Sequence, residues 1–197
     1  MITLGILLFD DLEELDAIGP WEVFTSAAAL RGDARVITLA ERDGLVRCAK
    51  GLRIQPDHRL ADAPELDVLL VPGGQGTRRE VDNPALIGWL RGAASRARWV
   101  TSVCTGALLL CEAGVCAGRR VTTHWGFIET LRKRYPDTEV LSHRRYVRDG
   151  QLVTAAGISA GIDMALWLVG QVWDVETARQ TQRAMEYDPA PPYAADA

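Results

Sequence analysis

The sequence predicts a single α/β domain over residues 1–197, with one doubly wound, mostly parallel sheet and helices on both faces. Three observations support this prediction. Short, continuously apolar and β-branched segments are typical of strands buried on both faces of a parallel sheet. Helix-like segments rich in Ala and Leu alternate with these strands along the chain. No internal repeat or linker divides the 197 residues, which are enough for one well-buried core.

Apolar runs and the turn residues between them place the elements in order. The predicted strands are Ile2–Phe9, Arg35–Ala40, Asp67–Val71, Trp99–Val103, Arg120–Thr123, Glu139–Leu141, Arg145–Arg148 and Gln151–Ala155, with a β-hairpin over Gly44–Ile54. The predicted helices are Trp21–Leu30, Pro84 to about Ala97, Thr105–Ala113, Phe127–Tyr135, Ile162–Val172 and Val175–Glu186.

Local signals fix several boundaries. An acidic loop, Asp10–Asp16, leads into the first helix, and Gly19-Pro20 is expected to interrupt that helix. Asn83 and Asp174 are expected N-caps. The remaining segments are predicted to be irregular: Pro56–Pro64, with one helical turn at most, and the Pro-rich tail Tyr187–Tyr193, which is expected to be extended.

Composition narrows the class of protein. The formal charge of −4 disfavours a nucleic-acid or acidic-membrane partner. There is no cationic leader, and no apolar run approaches the roughly 20 residues that span a bilayer, so we expect a soluble, cytoplasmic protein. The four cysteines do not form a disulfide framework pattern. Cys104, Cys111, Cys116 and His124 lack zinc-ligand spacing, so no metal is expected.

Cys104 lies where the strand Trp99–Val103 meets the helix Thr105–Ala113. A tight strand-to-helix turn exposes the side chain at its apex, and Gly106 lets the helix pack closely on the strand, as in a nucleophile elbow. The helix N-terminus is expected to favour a thiolate and lower the thiol pKa. The sequence therefore predicts a catalytic nucleophile, with a buried, inert cysteine as the alternative.

Other candidate groups also follow predicted strands. Asp16, the turn Gly73-Gly74 and His124 would meet Cys104 at the carboxyl edge of the sheet, where ligands bind in such folds. The Gly-rich turn lacks the residues of a nucleotide-binding loop, but its N–H groups, with that of Thr105, suit negative charge. The general acid and base is either His124 or an acid of the loop Asp10–Asp16. Among these acids, Asp16 is flanked by apolar residues and would have a raised pKa.

At these residues the sequence resembles the ThiJ/PfpI superfamily, which has a flavodoxin-like, class I glutamine amidotransferase-like fold. The resemblance covers nearly the whole chain. It is carried by Leu15–Phe24, Val71–Gly74, Ser102–Ala107, Thr122–Trp125 and Gly157–Asp163. Within the superfamily, Asp16, Cys104-Thr105 and the ending Glu186–Pro192 resemble the isocyanide hydratase branch.

The resemblance implies a homodimer without metal or organic cofactor that hydrates a small-molecule isocyanide to an N-substituted formamide. It implies that Cys104 attacks the isocyanide carbon to give a thioimidate and that Asp16 is the general acid and base. Thr105 would position Asp16 or water. Oxyanion and substrate binding is assigned to Gly73, Gly74, His124 and Ile18.

Two alternatives remain open at this point. One is a glyoxalase or deglycase acting on small α-oxoaldehydes, which uses the same thiolate. The other is a non-catalytic ligand or redox sensor related to the sensory domains of AraC-type regulators. We expect an enzyme rather than a regulator, because the segment after Glu186 leaves no room for DNA-binding helices.

Overall fold

A computed structural model of the chain describes residues 1–189, and a seven-stranded sheet lies at the centre of this part. The strands are β1 (Ile2–Leu8), β2 (Ala34–Ala40), β3 (Val46–Arg47), β4 (Arg53–Ile54), β5 (His58–Arg59), β6 (Val68–Val71), β7 (Trp99–Val103), β8 (Arg120–Val121), β9 (Glu139–Val140), β10 (Tyr146–Asp149) and β11 (Leu152–Ala155). The helices are α1 (Glu14–Arg31), α2 (Thr77–Glu80), α3 (Pro84–Arg96), α4 (Gly106–Glu112), α5 (Ile128–Arg134), α6 (Ala160–Val172) and α7 (Val175–Ala184).

The sheet has the order β10-β11-β7-β6-β1-β2-β5. All its pairings are parallel except that of β10 with β11, which confirms the mostly parallel α/β fold. The chain moves from β1 to β2 toward one edge of the sheet, and from β6 to β7 toward the other edge. Right-handed crossovers therefore place α1 on one face, with α6 and α7, and α3 and α4 on the other. The reversal between β1 and β6 is the point where such sheets open a ligand crevice.

The first helix is longer than expected. Gly19-Pro20 does not interrupt it, and α1 runs without a break from Glu14 to Arg31. Pro20 is buried and has no N–H to give to the carbonyl of Asp16, so the helix continues with one hydrogen bond fewer. Packing of α1 against α6, α7 and β2 compensates for this loss. Asp16 therefore lies inside the first turns of a helix rather than in a loop.

Smaller differences concern short elements. β5 adds an edge strand to β2 within a segment expected to be irregular, and a 3₁₀ turn, Leu60–Asp62, follows it. The four-residue α2 was not expected. β8 pairs with β9 outside the main sheet. The hairpin of β3 and β4 and both N-caps are confirmed: Asn83 accepts N–H bonds from Ala85 and Leu86, and Asp174 accepts one from Thr177.

Buried aliphatic side chains fill both sides of the sheet. β6, β7 and β11 are buried along their whole length, as their apolar sequences predict. Within residues 1–189 no helix is long and apolar enough to cross a membrane. Tyr187–Pro189 form neither helix nor strand, whereas the rest of the tail, residues 190–193, lies outside the described residues.

Candidate active site

Cys104 occupies the turn between β7 and α4 and has a φ of +56°, in the left-handed region that a non-glycine residue rarely adopts. Surrounding bonds hold it there. Its N–H donates to the carbonyl of Ala156 at 2.8 Å, and its own carbonyl accepts the Thr123 hydroxyl at 2.7 Å. A Cβ on Gly106 would lie 2.1 Å from the Val71 carbonyl oxygen, so only glycine permits this close turn.

Asp16 reaches the same point from α1. Its side chain is fully buried, and Oδ2 accepts the Gly73 N–H at 2.9 Å. Gly73 in turn lies against the turn of Cys104, because a Cβ there would come within 2.9 Å of the Cys104 Cβ. Oδ1 is buried and has no hydrogen-bond partner among the described residues. One carboxyl oxygen is thus held by the Gly-rich turn and the other remains free to act.

The environment of Asp16 favours its protonated form. Burial raises its pKa to about 7, outweighing the Gly73 N–H that lowers it; negative Glu13 raises the pKa further. The nearby Cys104 thiol also lowers this pKa, although neither carboxyl oxygen makes a hydrogen bond to the sulfur among the described residues. A carboxyl with a pKa near neutrality can both give and accept a proton under physiological conditions.

The thiol behaves differently from the expectation. Burial and the negative charge of Asp16 raise the pKa of Cys104 to about 12, so the prediction of a lowered thiol pKa is wrong. The N–H groups of Thr105 and Ile158 and the Thr105 hydroxyl lower this pKa but do not outweigh the burial. The helix behind the sulfur has only seven residues, which limits its dipole. The resting site therefore holds a thiol beside a carboxyl.

Two residues near the sulfur were missed from the sequence. Ile158, which follows β11, has a φ of +49°, and its backbone N–H lowers the pKa of the Cys104 thiol. Arg78, on α2, donates Nη1–H to the Thr105 hydroxyl at 3.2 Å and to the Gly74 carbonyl at 2.8 Å. Neither residue type nor spacing signals these contacts. The two residues come from segments far apart in the chain that the fold brings to one place.

His124 lies near the site, but its ring contacts Gly126 and Gly157. Its Nδ1 accepts the Gly126 N–H at 3.2 Å, and its ring packs on Gly157 so closely that a Cβ there would be 2.4 Å from Cδ2. Partial burial and the positive charge of Arg78 lower the pKa of His124, which favours its neutral form. In the described part of the chain, no hydrogen bond joins His124 to Asp16 or Cys104.

Ile18 is not brought to the other site residues. It lines a separate cavity of about 290 Å³ together with Trp21 and Ile54. A larger cavity of about 730 Å³ lies beyond the end of β2 and also contains none of the proposed site residues. No group of three or more His, Cys, Asp or Glu side chains within residues 1–189 is arranged to hold a metal ion.

The sequence and the fold match a known family. The model of the DJ-1/PfpI family matches residues 3–171, and the chain belongs to this family. The isonitrile (isocyanide) hydratase of Pseudomonas putida is 39% identical over 194 residues, which cover 98% of this chain and 81% of that protein.

The chain is also similar to a solved structure and to a transcriptional regulator. The crystal structure of a ThiJ/PfpI family protein from Pseudomonas syringae superposes with a TM-score of 0.91 at 31% identity, covering 100% of this chain and 79% of that one. The transcriptional regulator CdhR of Pseudomonas aeruginosa is 33% identical over 142 residues, covering 72% of this chain but 42% of that protein.

Proposed function

We propose that this protein hydrates an isocyanide, R–NC, to the N-substituted formamide R–NH–CHO, with Cys104 as nucleophile and Asp16 as general acid and base. The observation that carries the proposal is the buried pair of Cys104 and Asp16, whose carboxyl has a pKa of about 7 and one free oxygen. The similarity to an isonitrile hydratase along 98% of the chain supports this choice of substrate class.

The first half of the reaction adds the thiol across the isocyanide carbon. In the fraction of the protein that holds ionised Asp16, which is substantial near neutral pH because the pKa of this carboxyl is about 7, the sulfur of Cys104 bonds to that carbon and the thiol proton passes to Asp16. Asp16 delivers this proton to the same carbon and is ionised again. The product is a thioimidate, R–N=CH–S, on Cys104. Because the thiol pKa is raised, proton removal accompanies bond formation instead of preceding it. The N–H groups of Thr105 and Ile158, which lower the thiol pKa, stabilise the negative charge that develops on the sulfur.

The second half releases the product with water. Ionised Asp16 accepts a proton from a water molecule whose oxygen bonds to the thioimidate carbon, and passes this proton to the thioimidate nitrogen. The tetrahedral carbon then expels the Cys104 sulfur, the proton of the new hydroxyl passes to that sulfur, and R–NH–CHO departs. The sum is one isocyanide and one water consumed for one formamide. No metal or organic cofactor takes part in this scheme, and the Gly73 N–H holds Asp16 in place through both halves.

The proposal is tested by direct turnover. Cyclohexyl isocyanide is incubated with the protein and the formamide is measured by NMR, with Cys104→Ala and Cys104→Ser as matched variants. We expect formamide from the wild type and none above background from either variant. Methylglyoxal is offered in parallel. Turnover of methylglyoxal but not of isocyanide would favour an α-oxoaldehyde activity, and turnover of neither would favour a sensor.

A further inference from the structure

Trp125 is an unusually exposed aromatic side chain. It is 82% exposed, although indole is a large apolar group that is highly buried on average. The backbone around it is well held: Trp125 opens a 3₁₀ turn, Trp125–Phe127, in which the Phe127 N–H donates to the His124 carbonyl at 2.8 Å. Its ring lies beside the His124 ring, with 5.5 Å between the centroids and 36° between the planes. The fold thus presents this indole at the surface without burying it.

The segment that carries the indole is attached to the surroundings of Cys104 on both sides. Before the indole, the Thr123 hydroxyl donates to the Cys104 carbonyl at 2.7 Å. After it, the ring of Phe127 lies against the guanidinium of Arg78, 4.7 Å from the ring centroid. Arg78 in turn donates Nη1–H to the Thr105 hydroxyl at 3.2 Å. The indole therefore lies at the rim of the candidate active site.

The His124 ring fills the space between the indole and the loop that follows β11. It packs on Gly157, where a Cβ would lie 2.4 Å from the ring Cδ2, and Gly157 directly precedes Ile158. The lowered pKa of His124 favours the neutral imidazole, which can lie against an apolar group without the cost of desolvating a charge. The two rings therefore form a wall that leads outward from the loop beside the catalytic turn.

The shape of an isocyanide directs its R group along this wall. The R–N≡C unit is linear, so R points away from the Cys104 sulfur when the carbon bonds to it. Asp16 is fully buried and Cys104 is only 7% exposed, so R extends toward the surface rather than into the core. On the side of α1, Glu13 and Lys50 form an ion pair, which is a poor surface for an apolar group. The aromatic rings are the better contact.

We propose that Trp125 forms the outer wall of the R-group subsite and that the protein prefers isocyanides with a flat aromatic R group. An aryl ring can pack on the face or edge of the indole, and such aromatic pairs are stabilised beyond the apolar area that they bury. A puckered cyclohexyl ring is similar in size but lacks this interaction. The inference rests on the proposed hydration, because it names the class of R group for that reaction.

Hydration kinetics of phenyl and cyclohexyl isocyanide compare a flat ring with a puckered one. We expect Trp125→Leu to lower kcat/KM about fivefold for phenyl isocyanide, mostly through KM, and less than about twofold for cyclohexyl isocyanide. Trp125→Phe should keep most of the preference for the aryl substrate. Because Trp125 is so exposed, these substitutions remove little packing from the fold. Equal losses for the two substrates, or no loss for either, overturn the proposal.

The matched control is Trp173→Leu. Trp173 ends α6, and its Nε1–H donates to Asp33 at 3.0 Å, at the opposite edge of the sheet from Cys104. This variant also loses an indole, but it should leave the ratio of the two kcat/KM values unchanged. A shift of the ratio in Trp173→Leu as large as that in Trp125→Leu would show a general effect of lost indole and overturn the assignment of Trp125.

A second measurement does not depend on turnover. N-phenylmaleimide and N-cyclohexylmaleimide both alkylate Cys104 by addition of the thiol across the C=C bond, and mass spectrometry of the Cys104 peptide gives the two rates. The ratio of the phenyl rate to the cyclohexyl rate should fall about fivefold from the wild type to Trp125→Leu.

The outcomes remain distinct from those of the proposed function. A wild type that converts no isocyanide overturns the hydration proposal, whereas the maleimide ratio still decides whether Trp125 lines the approach to Cys104. An unchanged ratio overturns that role. A lower sedimentation coefficient of Trp125→Leu, with both alkylation rates altered equally, would show that a second copy of the chain covers the indole, and it would overturn the proposal likewise.

Discussion

Replacement of Asp16 by Asn should have opposite effects on activity and on stability. The amide keeps the shape of the side chain: its oxygen can accept the Gly73 N–H, and its NH₂ takes the place of the free Oδ1. It cannot transfer a proton between thiol, substrate and water. We therefore expect kcat for an isocyanide to fall by about 10²–10⁴-fold, the range for a lost general acid–base group.

The stability effect follows from the raised pKa. A rise from 3.8 to about 7 means that ionising the buried carboxyl costs roughly 4 kcal/mol relative to the unfolded chain. The folded state holds this proton more tightly than the unfolded chain does. The contribution of Asp16 to the free energy of unfolding of the wild type therefore falls as the pH rises from about 4 to about 7. Asn has no such proton. Asp16→Asn should therefore gain up to that amount over the wild type above pH 7, with little difference at pH 4.

The assay combines urea unfolding at several pH values with formamide production. Asp67→Asn is the matched control, because Asp67 also accepts a backbone N–H, from Thr3 at 2.8 Å, but precedes β6 at the opposite edge of the sheet. That variant should retain wild-type kcat. His124→Ala is the competing variant. If it is inactive while Asp16→Asn is active, or if the stability difference of Asp16→Asn does not change with pH, the assignment of Asp16 is wrong.

Three further predictions concern the support of the site. Gly73→Ala should abolish turnover and lower the melting temperature, because the new Cβ would lie 2.4 Å from the Thr105 nitrogen; an active, stable variant would contradict the geometry. Asn83→Ala should lose about 1 kcal/mol of unfolding free energy with unchanged kcat, since it removes the cap of α3, and Asn83→Ser, which can cap the helix again, should recover part of this loss in urea titrations. Sedimentation should show a dimer, as the family resemblance implies, and a monomer at micromolar concentration would refute this expectation.

The sequence predicts the framework of the site because its signals are local. An apolar strand, an Ala- and Leu-rich helix and Gly106 are enough to place Cys104 on a tight turn. Alternation of strands and helices then places Gly73 at the same sheet edge, and the apolar neighbours of Asp16 predict its raised pKa. In each case, residue type and order along the chain determine the result.

The sequence does not predict those properties of the site to which several distant segments of the chain contribute. The thiol pKa depends on burial and on the charge of Asp16, whereas the sequence shows only the helix that follows Cys104. Ile158 acts through its backbone N–H, which every residue but proline carries. Arg78 lies on a four-residue helix too short for any periodic pattern, and its partners Gly74 and Thr105 are recognised only in the assembled fold.

The position of β11 in the sheet has a consequence for biosynthesis. This strand is made well after β7, yet it pairs directly with it, and the residues at its end accept the N–H of Cys104. A nascent chain that ends before β11 already carries Cys104 but lacks the neighbouring strand that covers one side of its turn. We expect its thiol to react freely with alkylating agents during translation and to become protected only when the C-terminal third emerges from the ribosome.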